Sequence, residues 1–111
     1  MINDEIKGYV FTDAVELSIN YWADIIDYSV SNLTAELNML EEVEGFSKTF
    51  VADINTVSKG FDKLFEMIDS SDHSKSKWAF KRLSNFVNEN YDAEDCDVVF
   101  QLGVFDDVIF G

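Results

Sequence analysis

The sequence predicts an α+β domain, in which a short antiparallel β-meander over about residues 24–51 packs against three to four helices. Three observations predict it. Apolar and polar residues alternate through Leu33–Met39 and again through Phe46–Phe50, the period of a half-buried strand. From residue 53 the apolar spacing changes to threes and fours, the period of a helix. Hydrophobic residues make up 47% of the 111, ten of them Phe, which is enough for one core. No proline, Gly/Ser linker or repeat divides the chain, so 1–111 reads as a single domain.

The elements follow in chain order. Asp13-Ala14-Val15-Glu16 fits a capping box and predicts a helix from about 13 to 21, with Val15, Ile19 and Trp22 on one side. Ile25–Val30 predicts the first strand, joined through Ser31-Asn32 to the second. In that second strand Leu33, Ala35, Leu37 and Met39 alternate with Thr34, Glu36 and Asn38. Glu41–Gly45 supplies a turn, and Phe46, Lys48 and Phe50 resume the alternation, so the two runs read as a hairpin.

Asp53 is the expected N-cap of a four-turn helix whose stripe is Ile54, Val57, Phe61, Leu64, Phe65 and Ile68. Ser70–Ser74 breaks it. A second helix from about 75 to 90 turns Ala79, Leu83, Phe86 and Val87 inward. After Tyr91-Asp92-Ala93 a third runs from about 93 to 105. It is apolar on most sides, which predicts burial, and makes Phe100, Leu102 and Phe105 essential to folding. Gly103 there allows close backbone approach. The last residues, Val108–Gly111, are apolar and are either docked in the core or part of an interface.

Charge is the strongest functional clue. Asp plus Glu number 22 and Lys plus Arg 8, a formal net charge of −14. Residues 1–47 net −9, residues 48–88 net +2 and residues 89–111 net −7. Chain ends often lie close together in a domain, which predicts one continuous negative face. Such a surface repels phosphate backbones and anionic lipid, so direct nucleic-acid or membrane binding is not expected. No apolar run reaches the ~18–20 residues of a membrane span, and the N-terminus lacks a signal-peptide pattern. With Cys96 as the one cysteine, a cytoplasmic setting is expected.

No constellation carries catalysis. Asp92, Glu94, Asp95 and Asp97 lack the Gly and the distant Glu of a calcium loop, and acids at a helix start suit its dipole. His73 and Cys96 are single representatives of their types, too few for zinc, and Cys96 lies on the most apolar helix, where a thiol stays inert. No P-loop or GxGxxG is present. The sequence therefore predicts no metal, no cofactor and no enzymatic activity. Trp22 is expected in the core. Trp78, beside Lys75, Lys77, Lys81 and Arg82, is a candidate apolar contact, as is Phe110.

The acids have two readings, solubility and imitation of nucleic acid. On a strand, residues i and i+2 are ~6.6 Å apart, close to two axial steps of one DNA strand. Glu42 and Glu44 have that spacing if extended, while Asp92/Asp95 and Asp24/Asp27 have the i,i+3 spacing of a helix face.

The stretch from Asp95 to Gly111 contains D-x-D-x-x-x-Q-x-x-x-F, then an acidic residue and a terminal aromatic-Gly. In this it resembles small acidic proteins encoded by bacteriophages, to which Tyr21-Trp22-Ala23 and Gly60-Phe61 are also similar. No activity is attached to that group, so no site residue transfers. The resemblance implies a phage origin and, by analogy, inhibition of host defence such as restriction or CRISPR nucleases. The expected function is thus a non-enzymatic inhibitor presenting a DNA-like surface to a host nucleic-acid-binding protein with a basic groove. The expected acidic face comprises Asp24, Asp27, Glu36, Glu41, Glu42, Glu44, Asp92, Glu94, Asp95, Asp97, Asp106 and Asp107. The alternative is a structural or regulatory interaction module, homodimeric through its apolar C-terminus.

Overall fold

The computed structural model describes residues 2–111. The elements are α1 (Asp4–Asp13), a π-helical turn (Ala14–Ser18), β1 (Ala23–Ser29), β2 (Thr34–Met39), β3 (Thr49–Asp53), α2 (Ile54–Ile68), α3 (His73–Val87) and α4 (Ala93–Phe105). The strands form one antiparallel sheet in the order β1-β2-β3. The fold is therefore α+β, with the meander where the alternation places it.

The helix expected from about 13 to 21 begins instead at Asp4. Asn3 caps it, its side-chain oxygen accepting from the Ile6 N–H at 2.9 Å, and Asp4 and Glu5 complement the dipole of the first turn. Asp13 is no cap. The helix is already running there, and the Asp13 carboxylate accepts from the Ser18 hydroxyl within the π-helical turn. That turn is closed by an Ile19 N–H to Ala14 C=O bond of 3.1 Å, five residues back. The extra residue per turn keeps Val15, Ile19 and Trp22 buried together, as their spacing suggests.

In β2, Ala35, Leu37 and Met39 are buried while Thr34, Glu36 and Asn38 are half-exposed. The third strand starts at Thr49 rather than Phe46. Gly45, at φ 87°, turns the chain, and residues 40–48 make a loop in place of a tight hairpin. Phe46 leaves the alternation and meets the Phe105 ring edge-on at 5.0 Å.

The helices fit their spacing more closely. Asp53 caps α2 in a capping box with Thr56. Asp72 caps α3, which starts at His73, two residues before the expected position. Asp92 and Asp95 form the capping box of α4. Phe65 and Val87 are exposed instead of inward, because each sits one position past a buried neighbour (Leu64, Phe86), at the rim of a helix covered on one side only.

Two glycines set the crossing of α2 with α4. A Cβ on Gly60 would stand 2.0 Å from the Val99 carbonyl oxygen, and one on Gly103 would stand 1.9 Å from that of Thr56. The backbones touch because neither residue has a side chain. Around this crossing lies the core, and Trp22 is its hub. Its indole stacks on Phe50 at 6.2 Å and Phe110 at 5.3 Å and packs at an angle against Phe100 and Phe105. No helix among the described residues is long and apolar enough to cross a membrane.

Phe100 is fully buried between Phe11 and Trp22. Phe100→Ala is expected to cost about 3–5 kcal/mol in chemical denaturation. Gly60→Ala, which must push α2 off α4, is expected to cost about 1–3 kcal/mol by the same measurement. An unchanged midpoint for either would mean that the helix crossing is not tight.

Candidate functional site

The sheet has one face on the core and one toward solvent, and the solvent face gathers carboxylates. Asp24 pairs with Asn38 and Asp27 with Glu36. Asn38 and Glu36 are two residues apart on β2 and share its outer side, so Asp24 and Asp27 share that side as well. A regular strand would put residues three apart on opposite faces. The register shift between Ile25 and Asp27 supplies the extra residue that brings Asp27 back to the outer face. The same bulge leaves Asp27 and Glu36 directly opposed.

Glu41, Glu42 and Glu44 continue the charge along the exposed 40–48 loop. Glu42 and Glu44 lie outside any strand, so the extended i,i+2 spacing does not apply to them. The helical i,i+3 spacing does not apply to Asp24 and Asp27. Among the described residues, none of these six acids takes part in a salt bridge, whereas four such contacts occur elsewhere.

The C-terminal acids are differently placed. The Arg82 guanidinium donates to Glu94 at 2.8 Å and to Asp95 at 2.6 Å and lies over the Trp78 ring, 5.4 Å from its centroid. Burial works against the Arg82 cation, but its bonds to Glu94 and Asp95 outweigh this and raise its pKa. Asp95 is 1% exposed and also accepts from Asn85 at 3.2 Å and from the Asp92 N–H at 3.1 Å. Asp92 caps α4. Asp106 meets Lys63 at 3.3 Å, and Asp107 accepts from the Val108 N–H at 2.8 Å.

Asp97 is buried and belongs to a polar cluster. Its carboxylate accepts from the Tyr21 hydroxyl, from Trp22 Nε1–H at 2.9 Å and from Gln101 Nε2–H at 2.9 Å. The fully buried Gln101 then holds the tail. Its Oε1 accepts from the N–H groups of Ile109 (2.9 Å) and Phe110 (2.8 Å), and its Nε2 donates to the Phe110 carbonyl at 2.9 Å. Burial first, then the bond to Asp97, pushes the Tyr21 phenol well above its usual range.

Asp95 and Asp97 therefore present no carboxylate to a partner, and Phe110 is turned into its own chain. Of the acids expected on a single negative face, Asp24, Asp27 and Glu36 lie on the outer sheet face and Glu41, Glu42 and Glu44 on the adjoining loop, while Glu94, Asp95 and Asp106 are paired with bases of α3 and α2. Trp78 is half-buried and, with Tyr21, Val98 and Phe110, lines a groove of about 540 Å³. His73 is exposed at the start of α3. Cys96 is fully buried in α4, its thiol pushed up by burial and by Asp13. No group of three or more metal-ligating side chains is gathered among the described residues. Sequence reasoning missed Arg82, Asn85, Tyr21 and Gln101 as polar partners. The one signal was for Gln101, in its i,i+4 spacing from Asp97 on a helix that is otherwise apolar beyond its first turn.

No model of a known protein family, no curated protein and no solved structure matches the chain.

Gln101→Leu is expected to free the tail. The Ile109 and Phe110 amides should then exchange hydrogen faster while the centre of α4 stays protected. Stability should fall by about 1–3 kcal/mol, since Asp97 and the Phe110 carbonyl lose a donor. Unchanged exchange at Ile109 and Phe110 would show that packing alone holds the tail.

Proposed function

We propose that the chain is a non-enzymatic, phage-encoded inhibitor acting in the host cytoplasm. It offers a DNA-like acidic surface to the basic groove of a host nucleic-acid-binding defence protein of the restriction or CRISPR nuclease class. The observation that carries this reading is the bulge in β1, which sets Asp27 against Glu36 and aligns both with Asp24 on the open sheet face. Like charges directly opposed on an antiparallel pair are destabilising, by roughly 0.2–1 kcal/mol. Solubility alone gives no reason to concentrate them, since dispersed acids serve it as well. A role in binding does give one.

The spacing supports the same reading. Neighbouring strands lie ~4.8 Å apart and alternate residues ~6.6 Å apart along a strand. A sheet so decorated is a rigid array of anionic oxygens on the scale of a phosphate backbone, which carries one charge per ~3.4 Å of each strand. A Lys- and Arg-lined groove attracts such an array at long range and pairs with it on contact.

Binding to a basic-groove partner captured from host lysate should weaken as salt rises, and duplex DNA should compete. The triple change Asp24→Lys, Asp27→Lys, Glu36→Lys should reduce affinity by at least about tenfold. Glu36→Lys alone should raise the melting temperature, because a pair of unlike sign then replaces one of like sign while the Asp27 carboxylate keeps its bond to the Tyr28 N–H. Salt-independent binding that ignores DNA and survives the triple reversal would defeat the proposal.

A further inference from the structure

The outer sheet face ends at an open edge. Among the described residues β1 pairs only with β2, whereas the β3 side is flanked by Thr56 and Lys59 of α2 and by Gly103 and Val104 of α4, around a cleft of about 240 Å³. Backbone alternation shows which β1 amides face outward. The Trp22 carbonyl accepts from the Leu40 N–H at 2.9 Å, toward β2, and the Ala23 N–H turns away to the Ile19 carbonyl at 3.0 Å. Two residues on, the Ile25 amide also points away from β2. Beyond the bulge the Tyr28 N–H is turned from β2 and donates to the Asp27 carboxylate at 3.0 Å.

The side chains along this edge are incompletely covered. Ile25 lies on the same side of the sheet as its partner Leu37, yet it is 43% exposed while Leu37 is fully buried. Among the described residues no further strand pairs beyond Ile25. Ile26 and Val30 are exposed as well.

Resting on the acidic-face reading, we infer that β1 is a docking edge, which a basic extended segment of the partner protein joins as a fourth strand. A second copy of this chain is a poor occupant, since antiparallel pairing would set Asp24 and Asp27 of one copy against those of the other. A segment with Lys or Arg on the outer face and apolar residues toward Ile25 meets both demands, the charge and the uncovered side chain. Asp27 acts as the selector. Its carboxylate occupies the Tyr28 N–H and blunts the edge against indiscriminate pairing, as charged residues and bulges do on edge strands. An incoming cation draws that carboxylate to itself and frees the N–H for the ladder. Main-chain bonds then give affinity, and the alternating side chains give specificity.

The probe is a short peptide of alternating Lys and Val, titrated calorimetrically at low and physiological salt, with amide hydrogen exchange followed in parallel. Two controls accompany it: the same peptide N-methylated at alternate residues, and its Glu/Val counterpart. The Lys/Val peptide should bind and slow exchange at Ile25 and Tyr28 by at least about tenfold, and N-methylation should reduce affinity by at least about tenfold. The Glu/Val peptide should not bind. Failure of the Lys/Val peptide to bind overturns the inference. So does equal binding by the N-methylated peptide, or binding without protection at Ile25 and Tyr28, either of which leaves the acidic-face reading standing as attraction by charge alone. Equal protection of β1 by the Glu/Val peptide overturns both the charge selection inferred here and the acidic-face reading beneath it.

Discussion

A tryptophan buried among aromatic rings still carries an N–H, and that proton needs an acceptor. For Trp22 the acceptor is the Asp97 carboxylate, itself buried, and much of the molecule is arranged to make that tolerable. A buried carboxylate with one donor would be costly, so Tyr21 and Gln101 supply two more. Gln101, fully buried in its turn, satisfies its own amide on the backbone of Ile109 and Phe110. This brings the Phe110 ring onto Trp22. One indole N–H thus ties the start of the sheet, α4 and the tail into a single connected network. The Asp, Gln and terminal aromatic of the C-terminal motif all have structural duties in it.

The same economy of polar groups sorts the acids. Asp53, Asp72 and Asp92 close helix starts, Asp95 and Asp97 are inside, and Glu94 and Asp106 meet bases. The near-neutral middle of the chain is neutral in sequence only. In space its Arg82 and Lys63 lie against Glu94, Asp95 and Asp106, while Asp24, Asp27, Glu36, Glu41, Glu42 and Glu44 lie on β1, β2 and the 40–48 loop. Part of the C-terminal excess is thus met by bases from the middle of the chain, whereas Asp24, Asp27 and Glu36 on the sheet meet none among the described residues.

How far the fold was legible follows from how locally each signal is encoded. α2 and α4 were readable to within a residue, α2 because an Asp N-cap and a sustained stripe coincide, α4 because a run apolar on most sides follows the Tyr91–Ala93 interruption. β2 was readable because one of its faces is covered and the other is not. α1 was obscured by Asp13 and Glu16, which mimic a helix start in the middle of a continuous helical stretch, and a π-helical turn has no sequence period to find. The site was legible in part. The acids of β1 and β2 were identified, but a bulge decides which face Asp27 takes, and pairing register decides a bulge. Asp95 and Asp97 were placed with the surface acids because their partners are distant in sequence, Arg82 by 13 residues and Trp22 by 75.

That last separation shapes how the chain reaches its native state. The meander can close from neighbouring segments, but Trp22 cannot be sealed until α4 and the tail arrive from the far end. Contacts between such remote segments form slowly, since the intervening loop must first be ordered. A chain emerging from the ribosome would hold its largest apolar ring uncovered through most of synthesis, with a sticky sheet edge beside it. The acids along that edge then have a use before any partner is met: they keep nascent copies apart during the interval in which each is most vulnerable to aggregation.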